Sequence, residues 1–547
     1  MKDTAVLKWI YNNCEKRRAE GVVLVVLNAW SAVCVTLFAM FSKIVMDNAQ
    51  NKDEDALFKS ALILCFLIIS QIVARVVSSF VEAIGQGKSE IRLKTNVFRS
   101  VVYSRYASVN ERHSGDLMAR LTADVTVVSD SYVHILPTLV GYLVRIVSAA
   151  IALWSLDKRF ALIFIICGAI LIFVAVAFRE KLKSLHLAVQ KRDARVRSFM
   201  QEMLENLFAV KVFGIEEKII KRSQKQQKKF YREKVRKKSF SILATISFSL
   251  AFATGFLAAV SYGAYGVLNG TMTFGTVVAI IQLVNQLQSP VMGVTSVLPS
   301  FYAMLASAQR LMEISEMEKD DSQCDYSISY DDFKKIKAEN ISFGYADEKV
   351  ISDISFSVNK GDFVGIKGPS GAGKSTIFKL ITGLYSADEG SISIETEKGD
   401  YACQKTRHLF SVVPQGNMLF SGTIRENVTM LNPQATEEEI QKALSDACAQ
   451  FVYDIDGGLD FVLSEDGGGI SEGQAQRLAV ARALLGNGNI LLMDESTSAL
   501  DSESEKKLIE NLKARKDVTV LFITHRESVL FNCDYEITIL NGKVQES

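Results

Sequence analysis

Proline is scarce in this sequence, six among 547 residues, while 48% of the residues are hydrophobic. That excludes a low-complexity, disordered chain, and the length exceeds one ordinary domain. Strong net charge is also missing: the balance is +1, so nothing argues for nucleic acid as a partner. Paired cysteines are absent. Cys14, Cys34, Cys65, Cys167, Cys324, Cys403, Cys448 and Cys533 form no Cys-x-x-Cys pair and no metal-like spacing, and read as reduced thiols. A cleaved amino-terminal signal is lacking too. The first long apolar run follows Lys16-Arg17-Arg18 without a small-residue cleavage pattern and reads as a retained anchor.

What is present is apolar length. Residues 21–42 contain no charge, and about 20 apolar residues span a bilayer as a helix. Further spans are expected at 56–81, 132–156 and 160–178. Residues 240–309 are again uncharged, and Leu268-Asn269-Gly270-Thr271 divides them into a fifth and a sixth span. Residues 2–18 mix Val6, Leu7, Trp9, Ile10 and Tyr11 with basic residues, which suits an amphipathic helix at a membrane surface or a loosely structured tail.

Lys and Arg set the orientation. Residues 82–130 hold seven and residues 179–238 hold nineteen, against one, two and none in the loops 47–55, 157–159 and 268–273. Both long connections and both termini are therefore expected in the cytosol, with spans two to five continuing there as long helices. The basic run 221–238 reads as a solvated face near anionic headgroups rather than a nucleic-acid site. After Arg310 the chain turns acidic, with Glu313, Glu316, Glu318, Asp320, Asp321 and Asp325. The expected division is an amphipathic segment 1–20, a membrane domain 21–308, a linker 309–335 and a cytosolic domain 336–547. In the last, short β-like runs alternate with helices, the pattern of a mixed α/β nucleotide-binding domain.

The chemistry of that domain begins at Gly368-Pro369-Ser370-Gly371-Ala372-Gly373-Lys374-Ser375-Thr376. This is a phosphate-binding loop, set between a run that suits a buried strand (362–367) and one that suits the first turns of a helix (377–381). Glycines let backbone N–H groups curl around phosphate, Lys374 reaches the β and γ phosphates, and Ser375 takes a Mg²⁺ position. Asp494 and Glu495 end an apolar strand. Asp494 is placed to hold Mg²⁺, and Glu495 to orient or deprotonate the attacking water. Gln415 and His525 end two further strands and would meet the same phosphates. Tyr345 precedes the loop by a strand hairpin and would stack on a base. Ser471 caps a second anion-ready helix, closing at Gly486, which has no phosphate loop of its own.

In this combination and order the sequence resembles the ATP-binding cassette (ABC) exporters built as half-transporters, over nearly the whole chain. The phosphate loop, Gln415, a signature-like Ile470-Ser471-Glu472-Gly473-Gln474, Asp494-Glu495, Ser498-Ala499-Leu500-Asp501 and His525 carry the likeness. Phe420-Ser421-Gly422-Thr423-Ile424-Arg425-Glu426-Asn427-Val428 and Ser114-Gly115-Asp116-Leu117-Met118-Ala119-Arg120-Leu121 also look like the exporter branch. The resemblance implies an all-α membrane domain of six spans fused to an α/β P-loop cassette, with ATP and Mg²⁺ as cofactors. It implies two cassettes meeting head to tail, so that Ser471, Gly473 and Gln474 of one reach the γ phosphate held by Lys374 of the other, with Asp501 at the same site. One chain is then half of a homodimer or heterodimer. Segments 108–115 and 207–216 would resemble coupling helices, and Glu465 would lie in a cross-linking loop. Glu472 departs from the family's usual glycine. An acid in a first helical turn suits the helix dipole, but turned toward the γ phosphate it would weaken ATP sandwiching.

For the cargo, Arg145 is the residue of interest. Twelve positions before Asp157, at about 1.5 Å each, place it near the midplane of its span. A charge there faces water or a partner. Arg145 with Gln282, Asn285 and Gln286 would line a cavity for an anionic or peptide-like substrate; alternatively, Arg145 is satisfied by backbone carbonyls and water. The expected activity is ATP-driven export of a lipid, drug or peptide by alternating access from a bacterial plasma membrane. An importer on the same plan, or a membrane-anchored ATPase sensor or gated channel, is the alternative. The short stretch before the first span leaves no expectation of an amino-terminal leader-cleaving peptidase.

Overall fold

The computed structural model describes residues 3–14, 18–112, 114–320, 324–345, 348–416, 418–464, 467–515 and 517–545. Glu465 lies outside them. The chain divides into two compact units, one of residues 1–102 and 113–316, the other of residues 103–112 and 317–547.

The first unit is helical. A short α1 (Asp3–Asn13) buries Val6 and Ile10, and Cys14 just beyond it is buried as well. The amino-terminal segment is thus a helix with one packed face and not a loose tail. There follow α2 (Arg18–Gln50) and α3 (Glu54–Val102). In the second unit, α4 (Tyr106–Asn110) intervenes. The first unit resumes with α5 (Ser114–Ala119), a π-helical turn (Arg120–Asp124), α6 (Val125–Leu156), α7 (Lys158–Glu205), α8 (Leu207–Val212), α9 (Glu216–Leu268) and α10 (Phe274–Ser315). At 49 residues, α3 is about 73 Å long, more than twice a bilayer's hydrocarbon core, so it continues outside the membrane as the basic segments imply. Among the described residues, four helical stretches are long and apolar enough to cross a membrane: Glu20–Gln50, Glu54–Val102, Ser114–Leu156 and Glu216–Leu268. The fourth expected span, 160–178, lies on α7, where most side chains fall outside those described.

Caps explain the sharp corners. Asp157 accepts from the Phe160 amide at 2.8 Å to start α7, and Thr273 accepts from the Thr276 amide at 3.2 Å to start α10. Small residues allow close packing nearby: Ala39, Ala149, Ala152, Ala161 and Ala259 share a cluster with Ile280, Leu283 and Val284. Below it, Asp124 ends the π-helical turn buried and is held by Arg310 and by Ser307 at 2.9 Å. α10 continues to Ser315, past the residue 308 at which the membrane domain is expected to end.

The second unit is α/β. An antiparallel sheet, ordered β2-β1-β4-β5, comprises β1 (Phe333–Tyr345), β2 (Glu348–Asn359), β4 (Glu389–Thr396) and β5 (Gly399–Ala402). A six-stranded sheet, ordered β12-β11-β3-β10-β9-β6, comprises β3 (Phe363–Lys367), β6 (Phe410–Val413), β9 (Ile490–Asp494), β10 (Thr519–Ile523), β11 (Tyr535–Leu540) and β12 (Lys543–Gln545). Its five strands from β11 to β6 run parallel, and β9 and β10 are wholly buried. That accounts for their unbroken apolar sequence. A short pair, β7 (Gly422–Thr423) with β8 (Val462–Leu463), lies apart. The helices of this unit are α11 (Lys374–Ile381), α12 (Ile424–Val428), α13 (Glu437–Asp446), α14 (Glu472–Leu485), α15 (Ser502–Ala514) and α16 (Glu527–Leu530).

Candidate nucleotide site

β3, β9, β10 and β6 are neighbours in one parallel sheet, so their carboxyl ends deliver the phosphate loop, Asp494-Glu495, the residues before His525 and the residues before Gln415 to one edge. Ligands of open α/β sheets collect at that edge. In the phosphate loop, Gly371 and Gly373 have φ of 82° and 94°, conformations that glycine adopts without a steric cost. Gly373 starts α11. Lys374 folds back, its Nζ donating to the carbonyls of Gly368 at 2.8 Å and Pro369 at 2.9 Å. Burial pushes its amine down, against the pull of Glu495 and Asp494. Two carbonyls thus hold the Lys374 cation beside an anion-favouring helix start, where phosphate oxygens would replace the carbonyls.

Asp494 is buried and hydrogen-bonded to Ser375, and its Oδ1 has no partner. Burial holds its carboxyl above the usual carboxylate range. An orphaned buried carboxylate oxygen beside a serine hydroxyl fits the oxygen-ligand chemistry of Mg²⁺. The sign of the resulting pH dependence is definite. Burial makes the ionised form less favourable in the folded protein without nucleotide than in a free carboxylate. Protonation as pH falls from 7 toward the window above 3.8 removes the charge a cation needs. Affinity for ATP with Mg²⁺ is therefore expected to fall across that window, and affinity for ATP with EDTA to change much less. Equilibrium titration with a fluorescent ATP analogue checks this, and a metal-independent pH profile would refute it.

Glu495 has a φ of 47°, a left-handed conformation uncommon for a non-glycine residue and concentrated at functional sites. Its backbone N–H donates to the Ile523 carbonyl at 2.9 Å, joining the end of β9 to β10. Its side chain is bracketed: Gln415 Nε2 donates to Oε2 at 2.8 Å, and His525 Nε2 lies 3.5 Å from Oε1. Gln415 and His525, expected at the phosphates, are here gathered on the carboxylate itself.

Tyr345 ends β1, its hydroxyl 3.3 Å from that of Thr376, its ring at right angles to Tyr385 with centroids 5.4 Å apart. Tyr385 in turn meets α4: Tyr106 packs edge-on at 5.7 Å, and Asn110 Nδ2 donates to the Tyr385 hydroxyl at 3.1 Å. Backbone bonds from Arg105 to Glu318 (2.8 Å) and from Asp320 to Tyr103 (2.9 Å) tie this segment to the connector after α10. α4 overlaps the start of the expected coupling segment 108–115.

Ser471 caps α14 as expected, in a box with Gln474. Glu472 stands exposed in the first turn. Gly473 has a different constraint, since a Cβ there would lie 2.6 Å from the Ala499 carbonyl oxygen. Asp501 is the N-cap of α15, accepting from the Ser504 amide at 3.0 Å, which holds its carboxyl below the usual range. Sequence reading missed what secures this loop. Arg526 donates to the carbonyls of Ser498 (2.7 Å) and Leu500 (3.1 Å) and to buried Glu505 (2.8 Å). The basic residue directly after His525 was the available signal. Buried Arg482 likewise donates to the Met418 carbonyl at 3.0 Å, bracing the turn after Gln415.

Residues 21–291 match the family described as the ABC transporter transmembrane region, and residues 351–498 match the family described as ABC transporter. An uncharacterized ABC transporter ATP-binding protein, YknU of Bacillus subtilis, is 30% identical over 84% of this chain and 80% of its own length. An ATP-dependent lipid A-core flippase of Desulfotalea psychrophila is 29% identical over 84% of this chain and 81% of its own. A solved bacterial Atm1-family ABC exporter with ATP bound shares the fold, with a TM-score of 0.82 at 22% identity, covering 97% of this chain and 95% of that one.

Proposed function

This chain belongs to the ABC transporter family, and from that premise we propose that it is an ATP-driven exporter of an amphipathic substrate, working as a dimer by alternating access. It is an ATPase coupled to transmembrane transport. The observation that carries the reading is a complete hydrolytic constellation, with Lys374, Ser375, Asp494, Glu495, Gln415 and His525 at one sheet edge of a chain whose other unit is a bundle of apolar helices.

In this reading Tyr345 stacks on the base, and the amides of Gly368, Ser370, Gly371, Ala372, Gly373, Ser375 and Thr376 surround the phosphates with Lys374. Ser375, Asp494 and Gln415 would hold Mg²⁺, which would supply charge neutralisation to the phosphates. Glu495 accepts the proton of the attacking water, and His525 fixes its carboxylate. The closing contact comes from Ser471, Gly473 and Gln474 of a second half-transporter, with Asp501 shaping the same loop. Two features support a partner. The start of α14 is an anion site without its own phosphate loop, and Phe208 and Phe213 on and beside α8 are exposed, an apolar tip that calls for burial. Six spans, cytosolic termini and a plasma-membrane location complete the proposal.

Inverted membrane vesicles test it. ATP-driven accumulation of an amphipathic dye, abolished in Glu495→Gln, is the expected result. ATP-dependent uptake by right-side-out cells would point to an importer instead, and ATPase without movement of any probe to a sensor.

A further inference from the structure

A second lysine stands beside Tyr345, and the hydrolytic constellation leaves it unused. Lys379 lies on α11 three residues beyond Thr376, and residues three apart share a helix face. Its Nζ sits over the ring of Tyr345, 5.6 Å from the centroid, while the Thr376 hydroxyl lies 3.3 Å from the Tyr345 hydroxyl. One face of α11 therefore meets the tyrosine twice, with a hydroxyl at its tip and a cation over its ring. Among the described residues Lys379 forms no ion pair, so its charge is not spent elsewhere.

The other contacts fix the ring in place. Just before it, Asp388 accepts from the Gly344 amide at 2.9 Å. Phe343 and Tyr385 meet the ring nearly at right angles, with centroids 5.0 and 5.4 Å away. Tyr385 is itself placed by Lys379, whose backbone carbonyl accepts from the amides of Leu384 at 2.9 Å and Tyr385 at 3.3 Å. A ring gripped in this way loses little freedom when a base stacks on it, and such preorganisation is worth affinity. With the cation over one face, the base has the other. A cation draws π density toward its own side, which eases stacking of a second π system opposite, and the gain grows with the area of that system.

We infer that Lys379 is a specificity-determining residue of the nucleotide site, acting through the Tyr345 ring to favour purine over pyrimidine nucleotides. A purine covers the tyrosine ring more fully than a pyrimidine does, so it gains more from the polarised face. The inference rests on the export reading, which makes a nucleotide the fuel, and adds to it a residue that selects the base. Lys379 has a second reach as well, since its charge draws the Asp494 carboxyl down together with that of Lys374. A charge acting on Asp494 or on the phosphates serves every nucleoside triphosphate alike. Only the route through the ring discriminates among bases.

The test measures equilibrium binding to the full chain in detergent, with EDTA present so that no metal contributes, by displacing a fluorescent ATP analogue with ATP or with CTP. Wild type should prefer ATP. Lys379→Met, which keeps the stem and removes the charge, should lower the ratio of the two affinities about threefold, the scale of a partly exposed cation–π contact. Lys379→Arg should retain the ratio, and Lys379→Gln repeats the charge removal with a polar stem. In a Tyr345→Leu background the same lysine changes should leave the ratio unmoved, because the ring that carries the effect is gone. Size-exclusion elution and thermal midpoint report whether each variant is folded. An equal loss for ATP and CTP would place the charge on the phosphates, and tighter binding in Lys379→Met would show that the lysine competes with the base. Either result, equal wild-type affinities, or an effect that persists in Tyr345→Leu would overturn the inference. Loss of the base preference alone leaves the export reading standing, whereas ATP turnover undiminished in Glu495→Gln overturns that reading itself.

Discussion

Glu495→Gln is expected to lower steady-state ATP turnover by about 10²- to 10⁴-fold, the usual range for loss of a positioned general base, and to leave ATP trapped at the site. The geometry makes the substitution conservative in shape. Gln415 can still donate to the side-chain oxygen that replaces Oε2, now 2.8 Å from its amide. What is lost is the second, charged oxygen, which lies 3.5 Å from His525 Nε2 and is the one free to accept a proton. Binding of ATP should therefore survive while hydrolysis fails. Radiolabelled nucleotide retained after gel filtration, together with phosphate release, separates the two. Normal phosphate release would remove Glu495 from its assigned role, and loss of ATP binding would show that the carboxylate holds the loop together rather than acting on water.

The second large effect is expected far from the phosphate. Arg526→Ala should destabilise the protein by about 2–3 kcal/mol, somewhat below the 3–5 kcal/mol typical of breaking a fully buried pair because the arginine is partly exposed. Glu505 is 3% exposed and would lose its cation, retaining the Ser528 hydroxyl at 2.7 Å. The carbonyls of Ser498 and Leu500 would lose a donor as well. Because those carbonyls belong to the loop that Gly473 approaches through Ala499, ATPase activity should fall along with stability. The double variant Arg526→Ala with Glu505→Leu should recover much of the stability, since no unpaired buried charge remains. Thermal unfolding of the full chain measures both. A single-variant change below about 0.5 kcal/mol, the level of an ordinary surface substitution, would show that the loop is held by something else.

These two sites differ in how far they could be read beforehand. Lys374, Ser375, Asp494 and Glu495 sit at strand ends that the sequence marks by apolar runs, and a parallel sheet has only one edge at which such ends meet. Arg526 and Glu505 carry no such mark: 21 residues separate them, and only the packing of α15 against α16, which Arg526 precedes, makes them a pair. Arg145 of α6, which donates to the Ser289 hydroxyl of α10 at 3.1 Å, lies between these cases. A charge inside an apolar span is visible in the chain, whereas the bond from Gln286 Nε2 on α10 to the Val35 carbonyl on α2, and the lack of a partner for the Gln282 and Gln286 oxygens among the described residues, depend on which neighbours the packing supplies.

The amino-acid sequence by itself determined the two-unit plan, the apolar helices, the phosphate loop between β3 and α11, the capped start of α14 at Ser471 and the acids ending β9. Each of these follows from local periodicity, capping or turn chemistry, which act over a few residues. Only the tertiary structure decided that Gln415 and His525 converge on Glu495, that residues 103–112 join the second unit, and that Arg526 pairs with Glu505. Those outcomes depend on contacts between residues tens to hundreds of positions apart, whose free energies are settled by packing and by the need to pair every buried polar group.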